Sequence, residues 1–148
     1  MSELTRLKVY VAGNPRHNRD EIRAFMDYVI DSYNTLILTC DWLVAMETEK
    51  PKEACGLEEG FENRRRAAVE DIAAVQECNV LVLFDAPPPS WGIYVEMGAA
   101  LARGKKVIVV NPNYLQVFFY HPNVIVVENA EEAKKILYDL HAIETYSL

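Results

Sequence analysis

The chain has 148 residues, 22 acidic against 15 basic side chains and a formal charge of −7. This balance lacks the broad positive field that a nucleic-acid polymer requires, so a small-molecule partner is expected instead. The length fits one domain spanning residues 1–148, and Cys40, Cys55, Cys78 and the three scattered histidines show no ligand spacing, so neither disulfides nor a metal site is expected.

The opening segment MSELTRLKVYVAG holds no apolar run of leader length and passes directly into a strand at Leu7–Ala12. No later run reaches membrane-spanning length, so no membrane partner is expected and the location is read as cytoplasmic. An amphipathic helix follows at Asn18–Tyr33, with Asn18 and Glu21 at capping-box spacing, and then a strand at Leu36–Cys40. A polar loop is expected from about Asp41 to Gly60, a helix from about Glu62 to Glu77, and a third strand at Asn79–Phe84. Ser90 and Gly92 open the next helix, Ile93–Arg103 form it, Gly104 stops it, and Lys106–Val110 continue as a strand. The loop NPNYLQVFFYHPN leads to a fifth strand at Val124–Val127 and a last helix opened by Asn129, with Glu132 three residues on.

Uniformly apolar strands alternating with helices predict an α/β fold: a single-domain, doubly wound, five-stranded parallel sheet, Rossmann-like, with the flavodoxin-like order 2-1-3-4-5. Ligands of such sheets bind at the carboxyl ends of the strands where the winding reverses, between strands one and three. That rule selects the loop Gly13-Asn14-Pro15-Arg16-His17-Asn18-Arg19 and the loop from Asp85 to Gly92. The first contains a single glycine, and no Walker sequence occurs anywhere, so nicotinamide and ATP chemistry are disfavoured and no cofactor is expected.

Glu96 is the only acidic residue in SWGIYVEMGAALARGKKVIVV. Placed in the first helical turn, it is expected to be kept ionised by the helix dipole and the free amides, and so to be nucleophilic at neutral pH. Gly98 and its neighbouring alanines let that helix press on the sheet. The plain alternative is a first-turn glutamate serving electrostatics alone. Asp71 has small or apolar neighbours at helical spacing, so it faces inward, or else it is a solvated flank residue. Asp85 ends strand three and reads equally as a turn residue, a cap or a site residue.

Three pieces of the chain resemble the nucleoside 2-deoxyribosyltransferase family, which includes N-glycosidases acting on deoxynucleoside 5′-monophosphates. They are VYVAG with Tyr10, VEDIAAVQECNVLVLF with Asp71, and PSWGIYVEMGAALARGKKVIVV with Glu96. The resemblance implies that Glu96 attacks the anomeric carbon, that Asp71 handles the base and its protons, and that Tyr10 orients the nucleophile. It implies a five-stranded Rossmann-like fold and assembly as a dimer or larger homo-oligomer, for which VFFYHP is the expected contact. A carboxylate trapping the sugar as an ester while a second acid protonates the leaving base is the logic of a retaining glycosidase. Water as the second acceptor gives hydrolysis, and another base gives transfer.

Family members that act on nucleosides place an acid six residues before the nucleophile, and those acting on monophosphates place Ser there. Here it is Ser90, whose hydroxyl and adjoining helix amides suit a phosphate, with Arg16, His17 and Arg19 nearby in the first loop. The competing reading is that Ser90 only caps its helix. The expected substrate-contacting set is therefore Gly13, Asn14, Arg16, Arg19, Asp85, Ser90, Gly92 and Gly98. Two departures from the family pattern are Asn79, where relatives often carry Asp, and Tyr94, which replaces a Gly and is expected to narrow or reshape the pocket. Trp42, Trp91, Phe118, Phe119 and Tyr120 are read as core or interface, with base stacking as the alternative. The enzyme reading thus stands beside a non-catalytic module that senses a nucleotide on the same fold.

Overall fold

The computed structural model describes residues 5–48, 57–85 and 90–146. Strands β1 (Leu7–Gly13), β2 (Leu36–Leu38), β3 (Val80–Phe84), β4 (Lys106–Val110) and β5 (Val124–Val127) form one parallel sheet in the order β2-β1-β3-β4-β5. This is the doubly wound topology expected, with the winding reversing between β1 and β3. Helices α1 (Arg19–Asp31) and α5 (Ala130–Tyr146) cover one face. Helices α3 (Leu57–Glu77) and α4 (Trp91–Ala102) cover the other, joined by a short 3-10 helix at Val117–Tyr120.

Strand alternation decides which side chains meet which layer. Val9 and Val11 of β1, with Val82 and Phe84 of β3, pack under α1 and α5. Tyr10 and Ala12, with Leu81 and Leu83, pack under α3 and α4. Tyr10 is therefore committed by parity to the layer that carries Asp71 and Glu96.

Gly13 shares the parity of Val11 and faces α1. A Cβ there would collide with the Ile22 side chain and touch Phe84, so its smallness lets α1 close on the end of β1. Asn18 precedes α1 but its side chain caps nothing, so the capping box expected with Glu21 does not form. The one at α5 does: Asn129 Oδ1 accepts from the Glu132 amide at 2.9 Å, and Glu132 Oε2 accepts from the Glu128 amide at 2.8 Å.

The largest departures from the sequence reading lie between β2 and α3. β2 ends at Leu38, two residues early. Within the expected loop, Trp42–Thr48 forms helix α2, and α3 starts at Leu57. Leu43 explains α2: it is fully buried under the α1 layer, a gain of roughly 1.5–3 kcal/mol that outweighs a polar local composition. Asp41 anchors the start of α2, since its Oδ1 accepts from the Val44 amide at 3.1 Å and its two oxygens receive both Arg23 Nη groups at 2.9 Å. Burial opposes the Asp41 charge, but the Arg23 bonds win and hold the carboxyl below the usual range. The remainder of the expected loop, residues 49–56 with Cys55, and residues 86–89 lie outside the described residues.

Asn79 stands at the amino end of β3, remote from the ligand-binding edge. Its Oδ1 accepts from the Lys8 amide at 2.8 Å while its own amide donates to the Lys8 carbonyl at 2.8 Å. The carbonyl oxygen of Asn accepts here a bond that an Asp oxygen could equally accept, so this departure sits in the pairing of β1 and β3.

Candidate active site

Helix α4 begins at Trp91 and places Glu96 in its second turn. The first-turn placement is therefore overturned, and with it the reason for a fully ionised carboxyl: by Glu96 the backbone amides are already spent inside the helix. Ile93, Met97 and Ala100 are the buried stripe of α4, and Glu96 lies on one flank of that stripe. Burial pushes its carboxyl up to about 7, with Asp71 adding to the rise and a hydrogen bond from the Tyr10 phenol opposing it. Oε2 is buried and has no hydrogen-bond partner among the described residues. A buried acceptor left unpaired is costly, and sites built to receive a ligand are where such groups persist.

Tyr10 lies beneath this carboxyl, 1% exposed. Its phenol is raised well above the usual range, first by burial and then by Glu96, so it stays neutral and serves as a donor. Asp71 sits half-buried on α3, one helical turn before the buried Ala74 and Val75. Its carboxyl is held above the ordinary carboxylate range, by burial first and Glu70 second. A further group belongs here that the sequence reading passed over. The Cys40 thiol is pushed up to about 11 by burial and then by Asp71, Glu70, Asp41 and Glu96, which places it among these carboxyls. Tyr10, Cys40, Asp71 and Glu96 thus come together from β1, the segment just after β2, α3 and α4. The hint for Cys40 was the run CDWLVAM, apolar at helical spacing directly after strand two.

The other expected residues separate into groups. Asp85, at the end of β3, accepts from the Tyr94 hydroxyl at 2.9 Å. Burial, then Asp85 and Tyr114, push the Tyr94 phenol up. Tyr94 lies roughly 200° around α4 from Glu96, where it braces Asp85 and Tyr114 on the opposite flank. Ser90 is half-buried at the N-cap, yet its hydroxyl caps nothing, and Gly92 beside it is exposed. Asn14 folds the first loop, accepting the Arg16 amide at 3.0 Å on Oδ1. Arg16 and Arg19 line an open hollow of about 480 Å³ with Pro15 and His17, to which Glu96 does not contribute. Gly98 lies on the outward side of α4 with Val95, and a Cβ there would meet nothing. Phe119 is buried in the α3/α4 core, while Val117, Phe118 and Tyr120 beside it are exposed.

No described helix is long and apolar enough to cross a membrane, and no metal-ligating cluster occurs among the described residues. No family model matches the chain, and no curated protein matches it. Among solved structures, the chain is similar to the Clostridium botulinum CMP N-glycosidase BcmB, with a TM-score of 0.56 and 21% sequence identity over 90% of this chain and 96% of that one. At this identity the likeness establishes a shared Rossmann-like α/β fold.

Proposed function

We propose that the protein breaks the N-glycosidic bond of a nucleoside or nucleoside 5′-monophosphate through a covalent glycosyl–Glu96 intermediate, as a deoxyribosyltransferase or nucleotide N-glycosidase. The observation that carries this reading is Glu96 Oε2, buried and unpartnered beside a neutral Tyr10 donor and a second raised carboxyl.

In the first step a Glu96 carboxylate oxygen bonds to C1′ as the C–N bond breaks and its electron pair leaves with the base. Asp71, whose carboxyl is held above the ordinary range by burial and Glu70, gives a proton to the base. Tyr10 donates to the carboxylate and holds it in line. In the second step the oxygen of water, or a nitrogen of another base, bonds to C1′. The ester C–O electron pair then returns to Glu96, and the acceptor's proton returns to Asp71. No cofactor takes part. Gly13, Asn14, Asp85, Ser90 and Gly92 frame the sugar end. The uncommitted Ser90 hydroxyl, the first amides of α4 and the arginines Arg16 and Arg19 suit a 5′-phosphate. The CMP N-glycosidase of the same fold makes pyrimidine monophosphates the first substrates to try.

The working form is a homodimer or larger homo-oligomer in the cytoplasm. Apart from Glu96, α4 bears no charge, and its outer residues Trp91, Val95, Gly98 and Ala102 are exposed. A helix apolar on every side is one that gets covered. Trp91, Val95, Val117, Phe118 and Tyr120 are 60–79% exposed and offer on the order of 700 Å². A standard interface buries about 800 Å² per partner, so a second copy of this chain fits the face.

The test is incubation with a panel of nucleosides and monophosphates, with and without an acceptor base, followed by chromatography. Free base is expected from the wild type and none from Glu96→Ala. A wild type that releases no base from the whole panel would overturn the reading.

A further inference from the structure

Trp42 is the only partly buried side chain among the described residues that packs against both hydrophobic cores. Its position follows from the shortness of β2. Beyond Leu38 the Thr39 amide still donates to the Val9 carbonyl at 2.9 Å, but the next carbonyl on that edge, Val11 O, has no strand to pair with. The Trp42 indole N–H fills it at 2.7 Å. The ring is thereby pinned to β1 one residue from Tyr10, whose phenol meets Glu96. Its single polar atom is consumed and the ring is only half-buried, so whatever it offers a ligand is apolar π surface. Cys40, two residues earlier, is half-buried in the core that contains Tyr10 and lies in electrostatic reach of Asp71 and Glu96.

We propose that Trp42, flanked by Cys40, is the wall on which the nucleobase stacks while Glu96 and Asp71 act on its glycosidic bond. The proposal rests on the Glu96 reading and adds the base subsite to it. A ring locked by a backbone hydrogen bond loses little freedom when a flat ligand settles on it. Stacking on an aromatic face is tolerant of base identity, because every base has such a face. Discrimination among bases then falls to hydrogen-bonding groups such as Asp71 and not to the wall.

The chain has two tryptophans, so Trp91→Phe leaves Trp42 as the sole indole emitter. With Glu96→Gln added to prevent turnover, the protein is titrated with cytosine, cytidine, CMP, adenine, AMP and ribose 5-phosphate. Saturable quenching of Trp42 by every ligand that carries a base, and none by ribose 5-phosphate, is expected. Iodoacetamide labelling of Cys40, followed by mass spectrometry of its peptide, should slow about tenfold under saturating CMP. Trp42→Phe, which keeps a stacking face, should bind CMP within a few-fold of the parent, and Trp42→Ala should bind at least about tenfold more weakly. If calorimetry shows CMP binding while Trp42 emission and Cys40 labelling stay unchanged, the wall is elsewhere and the glycosidase reading survives. If bases quench Trp42 but the wild type releases no base from any substrate, the wall stands and the glycosidase reading falls. Absence of binding by every base-bearing ligand overturns the wall as well.

Discussion

The Tyr10 phenol, fixed beneath α3 and α4 by the alternation of β1, donates to a Glu96 carboxyl that burial has lifted to about 7. One buried side chain thus moderates the protonation of another, and the balance between them sets when a nucleophile is available.

The acid limb of base release should fall near pH 7, where Glu96 loses its charge, and not near the 4.5 of an ordinary glutamate. The same shift has a stability consequence of fixed sign. An acid whose folded value is raised binds more protons in the folded state, so its contribution is complete below about 4.5 and is lost as pH rises through about 7. The magnitude is roughly 3 kcal/mol. Glu96→Gln should therefore melt higher than the wild type at pH 8 and equal it near pH 4.5. Thermal scans across that range check both points, and identical pH slopes for the two proteins would refute the assignment.

Tyr10→Phe removes the donor that opposes the rise of Glu96. The acid limb should move to higher pH, and kcat should drop about tenfold to a hundredfold, as expected for losing a hydrogen bond to a charged group. A pH–rate profile separates this from simple misfolding, because a merely structural lesion leaves the limb in place.

The sheet order and the helix layers were legible because periodicity governs them, whereas Tyr10 and the role of Asp71 entered only through the resemblance; parity accounts for Tyr10 sharing the layer of α3 and α4. What escaped the sequence depended on tertiary contact. Helix α2 exists because Leu43 finds a core and Asp41 finds Arg23, and Cys40 joins the carboxyls only once β2 stops short. The ionisation of Glu96 was misread because a helix start misplaced by two residues, about half a turn, put it in the first turn instead of the second. The sequence does not reveal that the Tyr94 hydroxyl is held by Asp85, a contact that depends on how α4 lies against the end of β3.

Gly13 is expected to contact a ligand, and the structure gives it in addition a packing duty against Ile22. Gly13→Ala should destabilise by about 1–3 kcal/mol through overpacking. Adding Ile22→Val, which removes the Cδ1 that the new methyl would strike hardest but keeps Cγ1, should restore part of that loss. Chemical denaturation of the two variants checks it, and a single mutant as stable as wild type would return Gly13 to the list of loop residues without a packing role.

Self-association is tested most directly at Val95, which is 63% exposed at the centre of the outward face of α4 and makes no contribution to the buried stripe. Val95→Lys places a charge where a second copy would have to bury it, and an unpaired buried charge costs enough to dissociate an interface of ordinary size. Analytical ultracentrifugation should show the wild type at twice the chain mass or more and the variant at the 16.9 kDa of one chain. Because the lysine sits on the solvent side of the helix, the variant should melt as the isolated subunit does and keep the Glu96 environment. Base release that survives in the monomer would make the active site complete within one chain. Base release lost on dissociation and regained in Val95→Ala would mean that the second copy finishes the pocket.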